Sequence, residues 1–509
     1  MAEAEAPADA AQETPVREPR SLSLVRIIAS LGAIQLAAMC FQLARSKAVA
    51  VALGPDGVGA ISLIDQSAGL VAQISTFSLP FAAAKFLSAA HGRSHQSFAS
   101  LYAALVRAVL IVSLLGTAFG AAVLVWWPAV LGDELVRYVG IGVLALLAIP
   151  AMNMVSLLTN AMAAARRAHA SAAYGAYNAA VLALLCTGGV LLAGLRGYYL
   201  GNLAALAALA VGGVWYLSKR ENLAIVGRRG SLWSEMRRSP EVINFAMSLY
   251  VVSFSLPAAY LIARYAVLNT QGLEGAGLLQ SAMALSIALT MVMRQSNMLF
   301  LMPAMNRIGR AEEKFQEAIE YLRAFSLVLA LVAVPLVLFP DWWLPLLYSR
   351  RFLAAAPYVY LFVLAQTLKL LSGIVLAVLV GLDHIGTQVW VTLCGLASLA
   401  AIAWILAPRY GIAGVGVATL FDGLLVFALA AWRLWAHTRL SVPRAMGWPP
   451  AGAVLLIGSC GVLAARWPSN TAGSILIKGA ICLLLGLAAA KILRGKEGGF
   501  ARNSIQPRP

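Results

Sequence analysis

The chain has 509 residues, of which 61% are hydrophobic and 12% charged, with a formal net charge of +17. Soluble domains carry about 25% charged residues, so the composition excludes a water-solvated globule and makes lipid the solvent for most of the surface. In lipid every backbone N–H and C=O needs an internal partner, which leaves helices or a closed barrel. The long Leu- and Ala-rich runs exclude the short alternating segments of a barrel.

Residues 1–23 are rich in Ala, Glu and Pro and lack an apolar stretch, and are expected to be a disordered cytoplasmic tail. The first apolar run starts near Leu24 and is long enough to span, so it is expected to be an uncleaved first helix rather than a signal peptide. Apolar runs predict helices at about 24–44, 57–88, 98–127, 138–162, 171–194, 197–217, 242–266, 276–303, 318–340, 355–381, 388–407, 411–435, 449–466 and 473–493. Pro80 and Pro257 lie inside runs and predict kinks. The expected fold class is an all-α polytopic membrane protein of about 14 transmembrane helices. It divides into an N-lobe of six helices (24–217), a basic cytoplasmic linker (218–241), a C-lobe of six helices (242–440), and a C-terminal helix pair with its tail (441–509).

With the N-terminus inside, most Lys and Arg fall on inner loops, notably Lys219, Arg220, Arg228, Arg229, Arg237 and Arg238 of the linker. This is the positive-inside bias, and it puts both termini in the cytoplasm. The same distribution explains the net charge without nucleic acid as a partner. Cys40, Cys186, Cys394, Cys460 and Cys482 sit in apolar runs with no CxxC spacing, so neither a disulfide framework nor a metal site is expected. No outer loop is long enough for a folded domain. There is no nucleophile triad and no GxxxxGK[ST] loop, and the adjacent acids Asp133-Glu134 and Glu312-Glu313 fall on solvated loops. The chain is therefore expected to be neither an enzyme nor an ATPase, and to need no cofactor.

Asp56-Gly57-Val58-Gly59 recurs as Glu274-Gly275-Ala276-Gly277, an offset of 218. Arg196-Gly197-Tyr198, followed by Gly201, recurs loosely as Arg409-Tyr410-Gly411, followed by Gly414, an offset of 213. Both pairs fall at outer helix junctions, which predicts parallel repeats and a substrate path between the two halves near the midplane. Ionisable groups inside spans usually face a water-filled cavity. The candidates are Lys47, Lys85, Arg107, Arg264, Arg294 and Lys369, with Arg45 beside Lys47 and Arg264 at the outer mouth. Lys85 and Arg294 fit snorkelling to the inner interface equally well. Only Asp65 and Asp422 are acids deep in spans. Each is either an ion-coupling carboxylate or the partner of a buried cation. The surplus of cations suits an anionic substrate such as a phosphate or pyrophosphate.

The stretch KAVAVALGPDGVG (Lys47 to Gly59) resembles the opening signature of bacterial polysaccharide-lipid flippases, as does LYSRRFLAAAP (Leu347 to Pro357) followed by the helix of Lys369. RYGIAGVGVA (Arg409 to Ala418) is similar to a motif widespread in the multidrug/oligosaccharidyl-lipid/polysaccharide (MOP) exporter superfamily. The resemblance covers roughly residues 24–440. It implies an alternating-access exporter of two six-helix lobes around a central cavity, driven by a cation gradient. Its substrate would be an undecaprenyl-pyrophosphate-linked oligosaccharide, such as an O-antigen repeat unit, moved across the bacterial inner membrane. A polysaccharide polymerase would act downstream. A lipid II flippase and a cation-coupled drug exporter of the same superfamily are the alternatives; the drug exporter calls for buried acids, where this chain has buried cations.

Overall fold

The computed structural model describes residues 21–77, 79–128, 133–165, 167–221, 240–296, 301, 305, 310–382, 384–467 and 471–503. Most of the expected N-terminal tail and of the basic linker lies outside these residues. The described elements are all helical. They are α1 (Ser21–Thr76), α2 (Leu79–Arg93), α3 (His95–Trp126), a 3-10 helix (Asp133–Tyr138), α4 (Val139–Leu147), α5 (Ile149–Ala164), α6 (Ala168–Glu221), α7 (Pro240–Ser296) and α8 (Ala311–Leu338). There follow α9 (Pro340–Leu347), a second 3-10 helix (Arg350–Tyr358), α10 (Val359–Gly381), α11 (Ile385–Tyr410), α12 (Ile412–Thr438), α13 (Val442–Met446), α14 (Trp448–Arg466) and α15 (Ala472–Asn503).

Ten of the described helical segments are long and apolar enough to cross a membrane, and Ala472–Ala488 is a shorter apolar helix. α1, α6 and α7 each hold two crossings, reversed at a glycine with almost no loop, so the bundle has about 14 crossings. The reversals are at Gly54 (φ 67°, ψ −169°), Gly194 (φ 58°, ψ −137°) and Gly272 (φ 66°, ψ −165°). A fourth, Gly411 (φ 54°, ψ −129°), joins α11 to α12. A Cβ is costly at these positive φ values, which is why glycine holds all four. We refer to this side of the bundle as the turn end.

The four glycines display the repeat. Gly54 and Gly272 are 218 residues apart, as the first motif predicts. Gly194 and Gly411 are 217 apart, so the second motif pairs Gly197 with Gly414 and not Arg196 with Arg409. The close contacts agree: a Cβ on Gly197 would meet the Gly189 carbonyl oxygen, and one on Gly414 would meet the Leu406 carbonyl oxygen, again 217 apart. The expected offset of 213 followed the arginines, which lie outside the turn geometry.

Two predicted spans are interrupted. The 57–88 run breaks at Phe77, which has φ 50°, and resumes as α2 with Pro80 in its first turn, where a missing N–H costs nothing. The 138–162 run divides into α4 and α5 at Ala148, with Pro150 in the first turn of α5. Pro257 lies within α7, and its carbonyl accepts a hydrogen bond from Gln66 Nε2 of α1 at 3.1 Å.

The lobes meet through the first hairpin of each, α1 and α7. A Cβ on Gly59 would lie 2.0 Å from the Leu273 carbonyl oxygen, and one on Gly277 would lie 2.0 Å from the Pro55 carbonyl oxygen. The contact is reciprocal, as a two-fold relation between repeats requires. Around it Val49, Val58 and Leu63 pack with Leu268, Leu273 and Phe352 in a core cluster that spans both lobes near the turn end. LYSRRF and the end of α9 just before it pack on the KAVAVALGPDGVG stretch: Lys47 Nζ donates to the carbonyls of Pro345 (2.7 Å) and Leu346 (2.9 Å), and a Cβ on Gly54 would lie 3.3 Å from Arg351 Nη1. α14 packs against α8 and α10, attaching the C-terminal pair to the C-lobe.

Because no side chain fits between these backbones, Gly59→Ala and Gly277→Ala should each cost about 1–3 kcal/mol of overpacking. A Cβ on Gly188 would meet nothing within 4 Å, so Gly188→Ala should be neutral or slightly stabilising. Thermal unfolding of the three purified variants in detergent checks the contrast.

Candidate functional site

At 1.5 Å per residue, Arg264 lies roughly 12 Å below the Gly272 turn and Asp65 roughly 15 Å below Pro55. Lys369 and Asp422 are each roughly 15 Å into α10 and α12. A hydrocarbon core is about 30 Å thick, so all four are close to half-way through the bundle.

Between the lobes is a cavity of about 250 Å³ lined by Arg45, Asp65, Tyr198, Arg264, Gln280 and Tyr348, among others. Its charges are two guanidiniums and one carboxylate. Tyr199 donates its hydroxyl to Asp65 Oδ1 at 2.9 Å, tying α6 to α1. Arg45 lines the same cavity as Asp65 and Tyr198, within electrostatic reach of both, and interacts with Cys186. Arg264 is 6% exposed. Its Nη2 donates to Gln280 Oε1 across the α7 hairpin at 2.5 Å, while Nε and Nη1 have no hydrogen-bond partner among the described residues. A buried guanidinium with two unused donors is costly alone and forms an anion-binding fork when a bidentate oxyanion arrives.

A second chamber of about 520 Å³ continues into the N-lobe from Arg45, Asp65 and Tyr198. Asn160, Asn178 and Asn202 supply its amides. Asn160 Nδ2 donates to the carbonyls of Pro80 and Ser156, both at 2.9 Å, which leaves its carbonyl oxygen as an acceptor.

In the C-lobe, Lys369 and Asp422 form an ion pair with side-chain exposures of 18% and 2%. Lys369 Nζ also bonds Tyr260 Oη at 3.1 Å. Tyr260 and Arg264 are one turn apart on α7, so that helix connects the pair to the interlobe cavity.

Of the residues singled out in the sequence, Arg264 and Asp65 line the interlobe cavity, and Lys369 and Asp422 form the C-lobe pair. Lys47 holds carbonyls at the turn end. Lys85 and Arg107 are exposed and have interactions of their own; Arg107 lies roughly 28 Å below the turn end of α3, well beneath the cavity. The side chain of Arg294 lies outside the described residues. Sequence reasoning placed Arg45 and Arg264 at the mouth and left Arg45 out of the site, although both line it at depth. It missed Tyr199, Tyr260 and Gln280, whose residue types carry no signal within an apolar run.

By sequence, no protein-family model matches the chain. No curated protein matches it either. Among solved structures, the fold is similar to the lipid II flippase MurJ in an inward closed conformation, with TM-score 0.65 and 11% identity over 94% of this chain and 99% of that one. It is also similar to an inward-facing multidrug resistance MATE family transporter of the MOP superfamily, with TM-score 0.63 and 14% identity over 79% of this chain and 96% of that one. A third is a MOP superfamily transporter from Pyrococcus furiosus described by a binding pocket of reverse polarity, with TM-score 0.53 and 12% identity over 81% of this chain and 96% of that one. The fold is that of MOP-superfamily membrane transporters.

Removing one member of the buried pair should be far worse than removing both charges. Lys369→Met alone should destabilise by about 3–5 kcal/mol, and the double variant Lys369→Met/Asp422→Asn should recover most of the loss. Unfolding of the single and double variants in detergent measures the coupling.

Proposed function

We propose that this chain is a flippase for a lipid-linked oligosaccharide carried on undecaprenyl pyrophosphate, working by alternating access in the bacterial inner membrane with its termini in the cytoplasm. The two lobes, 24–217 and 242–440, would rock about the glycine contact at the turn end, which faces outward. The observation that carries this reading is the buried, half-satisfied guanidinium of Arg264 in a cavity whose arginines outnumber its carboxylate. A pyrophosphate crossing the apolar core loses its hydration, and fixed N–H donors replace it.

The amides of Asn160, Asn178 and Asn202 suit the hydroxyls of the attached sugars, which both donate and accept. A cationic drug would meet the wrong sign at Arg45 and Arg264. A lipid II flippase is the second reading, because the likeness to MurJ extends over 94% of the chain. Both readings share a pyrophosphate headgroup and differ in the glycan.

Binding of inorganic pyrophosphate to the purified protein, followed by calorimetry, tests the headgroup site. Arg264→Ala and Arg45→Ala should each weaken binding at least about tenfold, the loss of one charge-assisted contact. Arg264→Lys should be milder, since the charge survives without the planar fork. Unchanged affinity in both alanine variants would refute the site, and surface-glycan export in cells lacking the native chain should fall in parallel.

An ion gradient has to drive net transport, and the coupling acid has to gain and lose its cation. Asp422 already holds an internal ammonium, so Asp65 is the carrier in this reading. Asp65→Asn should abolish gradient-driven accumulation in proteoliposomes while leaving downhill exchange. Retention of full pH-dependent transport would remove Asp65 from that role.

A further inference from the structure

An apolar groove of about 610 Å³ runs beside the cavity on the outside of the bundle. The second half of α1 forms one wall, with Ile64 near one end and Ile74 and Phe77 near the other. That length of helix is roughly 20 Å. Leu115 and Phe119 of α3 form the facing wall, and Leu261 of the C-lobe helix α7 closes the side next to the lobe interface. Ile74, Phe77, Leu115 and Phe119 are all exposed large apolar side chains.

The groove and the polar cavity share one helical partition on each lobe. On α1, Ile64 faces the groove and the next residue, Asp65, lines the cavity, while Ala68 lines both the groove and the N-lobe chamber. On α7, Leu261 faces the groove and Arg264, one turn on, lines the cavity. A molecule whose anionic end is held by Arg264 therefore has a route to an apolar channel within one helix diameter. A concavity in a lipid-facing surface forfeits dispersion contacts unless a chain fills it. An apolar chain tethered to the cavity ligand fills it without leaving a polar group in hydrocarbon.

We infer that this groove is the binding site for the hydrocarbon tail of the amphiphilic anion whose headgroup occupies the arginine cavity. The inference rests on the flippase reading of the cavity and adds where the lipid runs: between α1, α3 and α7, not along the C-terminal helix pair. Because the tail moves from one apolar environment to another, its gain is packing and orientation rather than transfer from water. The groove thus aligns the lipid with the cavity more than it raises affinity, and a modest effect of tail removal is expected.

The test uses the full-length protein in lipid nanodiscs with an isoprenyl pyrophosphate bearing a photoreactive group on its tail. The matching isoprenyl alcohol is the control, and adducts are mapped by mass spectrometry. The pyrophosphate probe should label residues 64–77 and 112–124 at least about fivefold more than the alcohol does, and Arg264→Ala should abolish that excess. Leu115→Trp and Ile74→Trp, each placed in the groove, should weaken binding of the isoprenyl pyrophosphate about three- to tenfold and leave inorganic pyrophosphate unchanged; thermal unfolding confirms that each is folded. Equal labelling by probe and alcohol makes the groove a surface for bulk lipid and overturns the proposal. So does head-dependent labelling confined to 472–503. Calorimetry with inorganic pyrophosphate separates the two levels: no binding refutes the flippase reading itself, whereas binding without groove labelling refutes only the tail site.

Discussion

Two hairpins crossing backbone to backbone at Gly59 and Gly277 hold the lobes in register, and the rest of the site follows from that crossing. Because each glycine sits against the other hairpin's carbonyl, the helices approach more closely than side chains allow. In a membrane such packing replaces the hydrophobic drive that water would supply. The same approach brings α1 and α7 alongside one another for several turns. Arg45 and Asp65 from one repeat and Arg264 from the other therefore meet in one cavity. Lys47 and the LYSRRF segment close the turn end above it.

The backbone is repeated and the chemistry is not. The residue 218 positions after Asp65 is Met283, and Ala205 stands 217 positions before Asp422. Each lobe has placed its carboxylate independently. In the N-lobe the acid is held by a tyrosine hydroxyl beside an arginine, and in the C-lobe by a lysine ammonium. A single hydroxyl hydrogen bond to a carboxylate is exchanged more readily than a buried ion pair is broken, which is what the proposed carrier role of Asp65 needs.

Much of this was legible in the residues. Long apolar runs marked the crossings, and glycine motifs marked the first repeat offset, because both signals are local. The second offset was misjudged, since Arg196 and Arg409 resemble each other as letters while Gly194 and Gly411 share a backbone conformation that letters do not display. Lys369 and Asp422 each stood out as charges in apolar runs, yet their pairing depends on how α10 and α12 pack. The depth of Arg45 was hidden because the first helix runs on to the Gly54 turn instead of ending near residue 44. The breaks at Phe77 and Ala148 were foreshadowed only by nearby prolines. The hydroxyls of Tyr199 and Tyr260 find partners on distant helices, and nothing in their neighbourhoods announces it.

Four of the connections at the turn end reverse at a single glycine of positive φ. Extended, accessible backbone is what a protease needs in its cleft, and these reversals offer helix ends instead. Those four reversals are consequently hard to nick, and an antibody raised against the folded chain has little protruding polypeptide to grip at them. Insertions made at Gly54, Gly194, Gly272 or Gly411 would interrupt a backbone conformation that no longer turn replaces without prying apart the helices it joins. Epitope tags belong elsewhere on this chain.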